Sequence, residues 1–224
     1  MPAGGDPNAL VIDPSGRYLY VAEADSSINA FDIDLISGAL TPLPGSPFQT
    51  INNRCTTTIT SMADLFGRFL YASDGFSFLA ISGFSIGRTT GTLTEVPGSP
   101  FPDPSRNLCD SAQEISGLTT EPTGRFLYVG FIDDAFFPPH NTIQKFAIDA
   151  GNGVLRHVNN TAFNYGGYNG GELAVDPSGK YLYTSSDIGV IGFSINSVTG
   201  DLTVLPGSPF SKLPSVMQDL IVTH

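Results

Sequence analysis

Tryptophan is absent from this chain of 224 residues, cysteine occurs twice, methionine three times, and lysine and arginine together only ten times. The shortage of cations is the most restrictive of these. Asp and Glu number 21, so the formal charge is −11, and such a surface repels phosphate backbones and anionic lipid. Nucleic acid and membrane surfaces are therefore excluded as expected partners. No run approaches the 18 or so apolar residues of a spanning helix, and Met1–Pro7 shows no basic and apolar leader pattern, so no signal peptide is expected there. Phosphate-binding glycine loops, nucleophile elbows and zinc-type Cys/His spacings are also missing, and no cofactor is implied. What the chain has in quantity is punctuation. With 25 Gly and 17 Pro, nearly one position in five interrupts helices, which favours an all-β fold.

Internal repetition organises the sequence. Asp13-Pro14-Ser15-Gly16-Arg17-Tyr18-Leu19-Tyr20 returns as Asp64-Leu65-Phe66-Gly67-Arg68-Phe69-Leu70-Tyr71. It returns again as Glu121-Pro122-Thr123-Gly124-Arg125-Phe126-Leu127-Tyr128 and as Asp176-Pro177-Ser178-Gly179-Lys180-Tyr181-Leu182-Tyr183. The turn glycines are 51, 57 and 55 residues apart. Each copy predicts four short strands, a to d. Strand a precedes the acid, strand b holds the Leu-Tyr pair, and strand c is the next apolar segment (28–34, 79–86, 142–149, 190–196). Strand d follows a glycine at 38, 91, 153 or 200. Three copies end in Pro-Gly-Ser-Pro-Phe, at 44–48, 97–101 and 206–210. In the a–b turn the acid accepts backbone N–H groups and the glycine closes the turn. Strand b is apolar on both faces, so each sheet needs cover on both sides and must stack on its neighbours. Radial stacking gives a β-propeller and linear stacking a solenoid.

The Asp-Pro-Ser-Gly-Arg/Lys-Tyr/Phe-Leu-Tyr unit, followed by Thr90-Gly91-Thr92-Leu93-Thr94 or Thr199-Gly200-Asp201-Leu202-Thr203, resembles the lactonase-type, YVTN-repeat β-propellers. That family includes bacterial 6-phosphogluconolactonases and carboxymuconate-lactonizing enzymes, so the resemblance implies a carbohydrate-metabolism setting. The expectation is one propeller region over residues 1–224, with blades at about 8–48, 58–101, 115–158 and 171–210 and a closing strand at 218–223. Since the family is usually seven-bladed, four blades imply part of a larger ring. An open arc would expose blade faces and a sheet edge and favour self-association.

Propellers bind ligands at one channel mouth, where d–a and b–c loops meet. Arg17, Arg68, Arg125 and Lys180, with Asp13, Asp64, Glu121 and Asp176, occupy repeat positions and read as turn structure. The non-repeating residues carry the functional expectations. Arg54 and Arg106, with Asn53, lie in similarly placed d–a loops and could clamp a carboxylate or phosphate; each could equally pair with a nearby acid. Tyr168 and Asn169 suit a hydroxyl-rich ligand. The b–c loop of the third copy is the longest: Tyr128 to the strand-c Phe146 spans 18 positions against 11, 13 and 10 elsewhere. It carries Asp133, Asp134 and His140, whose spacing fits no metal motif. Lactone hydrolysis needs a base and oxyanion donors; Glu114 or His140 is the candidate base, with loop N–H groups on the oxyanion. The resemblance also implies basic residues five positions before the turn acid. Asn8, Ile59, Ser116 and Gly171 stand there instead, which favours a binding or interaction module for a small polar or anionic ligand, with a sugar-lactone hydrolase as the alternative. Cys55 and Cys109 occupy matching loops, as a disulfide or as two thiols, and with few lysines favour a periplasmic or secreted setting.

Overall fold

The computed structural model describes residues 6–50, 59–74, 80–102, 113–133, 140–158, 163–164 and 170–210. The described residues form strands and turns without helix, so none of their segments is a helix long and apolar enough to cross a membrane. The first sheet comprises β1 (Pro7–Ile12), β2 (Tyr18–Glu23), β3 (Ser27–Ile33), β4 (Leu40–Pro42) and the two-residue β5 (Phe48–Gln49). The second comprises β6 (Ile59–Leu65), β7 (Phe69–Asp74), β8 (Ala80–Ile86), β9 (Leu93–Glu95) and β10 (Phe101–Pro102). The third holds β11 (Gln113–Thr120), β12 (Phe126–Asp133), β13 (His140–Ile148), β14 (Leu155–His157) and β15 (Phe163–Asn164). The fourth holds β16 (Leu173–Val175), β17 (Tyr181–Ser186), β18 (Gly189–Ile195) and β19 (Leu202–Val204). Each is an antiparallel meander in chain order, as the repeat predicts, and β5, β10 and β15 add a short pairing to strand c. The sequence reading missed this fifth strand. Phe163 takes in the third sheet the register place of Phe48 and Phe101, although its segment lacks the Pro-Gly-Ser-Pro-Phe motif.

The chain divides into two compact units, Met1–Ser111 with Asp149–Val154, and Ala112–Ile148 with Leu155–His224. In the first unit Tyr18, Tyr20, Ile28, Leu70, Phe84 and Ile86 share a core. In the second, Tyr128, Ile143, Leu173, Leu182, Ile191 and Phe193 do so. One device recurs in both. The strand-b tyrosine donates to the carbonyl of a c–d turn glycine: Tyr20 to Gly91 and Tyr71 to Gly153 in the first unit, Tyr128 to Gly200 in the second, each at 2.8 Å. The three glycines have φ of +65°, +76° and +71°. A Cβ on them would lie 2.5, 2.5 and 2.6 Å from the rings of Tyr18, Phe69 and Phe126. Both backbone handedness and close ring approach therefore require glycine.

The a–b turns form as expected in three sheets. Asp13 accepts from the N–H groups of Ser15, Arg17 and Tyr18 and from the Ser15 hydroxyl. Glu121 does the same with Thr123, Arg125 and Phe126, and Asp176 with Ser178, Lys180 and Tyr181. The second sheet departs from this pattern. Asp64 is not in a turn but in β6, paired with Leu70. With Leu65-Phe66 in place of Pro-Ser, Phe66 and Gly67 take φ of +53° and +63°, the two left-handed positions of a tight hairpin turn.

Candidate functional site

The b–c end of the third sheet holds two of the expected residues. β11 starts, β12 ends and β13 starts here, because eight-residue β12 and nine-residue β13 extend the hairpin into the segment expected to be loop. His140 is thus a strand residue, not a loop residue, opposite Asp133, which in turn is opposite Gln113. Glu114 lies in the next rung, opposite Ile132, with Asn141 on the other side. Glu114 and His140 are therefore in adjacent rungs on either side of β12, which places them on opposite faces of the pleated sheet. Arg54, Asn53, Arg106, Tyr168 and Asn169 lie outside the described residues, as do Cys55, Cys109, Asp134 and the strand expected at 218–223.

Next to these rungs the chain buries neutral polar groups. Asn141, Gln144, Thr184, Ser185 and Ser186 are all buried, and the hydroxyls of Ser116 and Thr142 are buried with no hydrogen-bond partner among the described residues. Ser116 sits in a bulge between Ile115 and Gly117, and bulges re-aim side chains beside functional sites. A Cβ on Gly117 would come within 3.1 Å of the Glu172 Cα. Gly171 donates to Ser185 O at 2.7 Å and accepts from Thr184 Oγ1 at 3.2 Å. Analogous bulges lie between Pro7 and Ala9 and between Ile59 and Ser61. In the second sheet the bulged residue is thus Thr60, one later than Ile59, because the shortened turn shifts the register. The strand-a starts become Asn8, Thr60, Ser116 and Gly171, and none is basic.

The first unit holds a carboxylate that the sequence reading missed. Glu23, at the end of β2, is fully buried; its Oε1 accepts from Asn29 Nδ2 at 2.9 Å, and Oε2 has no partner among the described residues. The available signal was a charge ending the apolar run Tyr18–Ala22. Hydroxyls, amides and carboxylates of this kind bind sugar hydroxyls and move protons.

The cations on the turn face are structural, as expected. Arg17 pairs with Asp32 at 3.1 Å, Arg68 donates to Ala150 O, and Arg125 donates to Ser197 O. Their guanidinium carbons also lie 5.1, 5.3 and 5.4 Å above the next residue's ring. A groove of about 330 Å³ on this face, lined by Asp13, Tyr18, Gly67, Arg68 and Arg88, has its acid committed to the turn. Burial raises the Asp13 carboxyl, but hydrogen bonds from Ser15, Tyr18 and Arg17 outweigh it and hold the group below its ordinary value. Among the residues whose side chains are described, no group of three His, Cys, Asp or Glu could hold a metal.

Repeated four-stranded antiparallel meanders, joined within each unit by aromatic-on-glycine contacts, define a β-propeller. The chain matches the model of the family described as lactonase, 7-bladed beta-propeller over residues 80–217, more than half its length, and it belongs to that family. A structure from Bacteroides uniformis, described provisionally as a 6-phosphogluconolactonase, matches with TM-score 0.70 at 19% identity, covering 89% of this chain and 53% of that one. A Bacteroides fragilis structure with the same provisional description matches at 0.69 and 20%, with coverages of 89% and 53%. The periplasmic gluconolactonase of Pseudomonas aeruginosa matches at 0.63 and 18%, with 90% and 53%. At these identities the likeness shows the fold alone. The chain spans about half the length of these structures. No curated protein matches it.

Proposed function

We propose that this chain is the sugar-lactone-hydrolysing type of propeller, with Glu114 or His140 as general base and loop N–H groups on the oxyanion. The observation that carries this reading is that the chain belongs to the lactonase family and sets both candidate bases at the b–c end of the third sheet. Water loses a proton to that base as its oxygen attacks the lactone carbonyl. The tetrahedral oxyanion collapses, the ring C–O bond breaks, and the leaving alkoxide takes back the proton from the protonated base, giving the open hydroxy acid. Arg54 and Arg106 hold an anionic substituent such as a phosphate, and Asn53, Tyr168 and Asn169 bind sugar hydroxyls. The family also gives this reading support in the solved structures described as gluconolactonases and 6-phosphogluconolactonases.

The experiment is hydrolysis of gluconolactone and its 6-phosphate by wild type and by Glu114→Gln and His140→Gln. Loss of turnover by roughly 10²–10⁴-fold in the variant that removes the base, with unchanged melting, is expected of general base catalysis. Undiminished turnover in both variants rejects the assignment. Arg54→Ala with Arg106→Ala raises KM for the phosphorylated lactone far more than for the neutral one.

A second reading, a binding module without turnover, is favoured by one observation. The strand-a starts Asn8, Thr60, Ser116 and Gly171 offer neutral groups in place of cations. It predicts a saturable melting shift with sugar acids and no acceleration of lactone opening.

A further inference from the structure

The tyrosine-to-glycine contact has two unmatched halves. Tyr183 holds in the fourth sheet the place of Tyr20, Tyr71 and Tyr128, yet it is only half-buried where those three are fully buried. Its neighbour Tyr181 is 38% exposed, against 3% for Tyr18 and 5% for Phe69. Phe210, of the last Pro-Gly-Ser-Pro-Phe, is 50% exposed, against 8% for Phe101. The first sheet carries the converse. Gly38 has φ +73°, the same left-handed turn as Gly91, Gly153 and Gly200. No atom of the described residues lies within 4 Å of a Cβ built on it, where each of the other three meets a ring. Around it Leu10, Ile12 and Leu40 are 69%, 51% and 49% exposed. Leu19 on the same face is half-buried, where Leu70, Leu127 and Leu182 are fully buried. The register sets Leu10 opposite Val21, Ile12 opposite Leu19 and Leu19 opposite Phe31, so these side chains share one apolar face.

We propose that the chain binds a second copy of itself head to tail, the first-sheet face of one molecule covering the fourth-sheet face of the other. Tyr183 donates its hydroxyl to the Gly38 carbonyl of the second copy, and the Tyr181 ring lies on that turn. A second copy is the occupant because it carries both halves of a contact this chain already makes three times, in matching chemistry and backbone handedness. Two different faces meeting make a heterologous contact, and apolar faces of this kind mark interaction sites.

The test is sedimentation velocity over a wide concentration range on three proteins: wild type, Leu10→Lys with Ile12→Lys, and Tyr181→Lys with Phe210→Lys. All four positions are already exposed, so each variant keeps its melting transition. Wild type is expected to self-associate reversibly, each double variant alone to stay monomeric, and their equimolar mixture to regain a dimer, since each retains the face the other lost. Tyr183→Phe weakens wild-type association by roughly 3–10-fold, the worth of one hydrogen bond. A wild type that stays monomeric throughout overturns the proposal, as do variants that associate like wild type or a mixture that does not restore the dimer.

Discussion

Asp13, Glu121 and Asp176 each gather the N–H groups of a turn onto one carboxylate. Burial raises the Asp176 carboxyl, but its bonds from Ser178, Tyr181 and Lys180 hold it below its ordinary value, as with Asp13. Depressed carboxyls contribute stability that is present above the unfolded value of about 3.9 and is lost as pH falls through the folded one. Urea midpoints of wild type are therefore expected to drop below about pH 4, and the drop is expected to be shallower in Asp13→Asn with Asp176→Asn. An equal acid slope in the variant contradicts this account of the turns. Replacing Asp176 by Ala at neutral pH removes several backbone acceptor contacts and is expected to cost about 1–2 kcal/mol in chemical denaturation.

The strand-b tyrosines and c–d glycines were visible in the sequence as a repeat, but their partnership was not, because it joins residues 71, 82 and 72 positions apart. Burial pushes the Tyr71 and Tyr128 hydroxyls well above the ordinary tyrosine value, so neither ionises in the folded protein at moderately alkaline pH. Tyr128→Phe strands the Gly200 carbonyl and is expected to lower stability by about 1–2 kcal/mol. Gly200→Ala, which adds a positive-φ penalty to a clash with Phe126, costs more than that; the urea midpoints rank the two. Pro-Gly-Ser-Pro-Phe shows the same gap between pattern and contact. Its serine hydroxyl accepts from the strand-c residue opposite the tyrosine, Ala30, Gly83 or Gly192. A Cβ on Gly83 or Gly192 would lie 3.0 or 2.8 Å from the motif's phenylalanine ring. The third sheet, which lacks the motif, has Lys145 at that register position. It is 2% exposed, with Nζ 2.6 Å from Asp201 and 2.7 Å from Thr199 O. The covariation of motif and small residue was legible in the sequence, and a lysine in an apolar strand marked the exception. Lys145→Ala leaves Asp201 solvated, so the expected cost is about 1–2 kcal/mol from lost packing and hydrogen bonds.

At the scale of the chain, all-β class, four repeats and the sheet order follow from turn residues at fixed offsets and from strand-b segments apolar on both faces. What misled was local. Asp64 looks like Asp13 in the sequence, but losing Pro-Ser lets a tighter hairpin draw it into β6. His140 sits in a run rich in Pro and Asp that reads as loop, while the pairing of β12 with β13 reaches Asp133 and His140. The candidate site was legible only in part, since only the strand register shows that Glu114 and His140, on different strands, share one end of the third sheet on its opposite faces. Glu23 had no motif to announce it.

The proposal that this chain opens sugar lactones is tested most directly by the initial rate of proton release from gluconolactone, by pH-stat, against the spontaneous background. The account predicts a saturable acceleration proportional to protein concentration that disappears when the protein is unfolded. A rate equal to background at every substrate concentration, on protein with an intact cooperative melt, contradicts it.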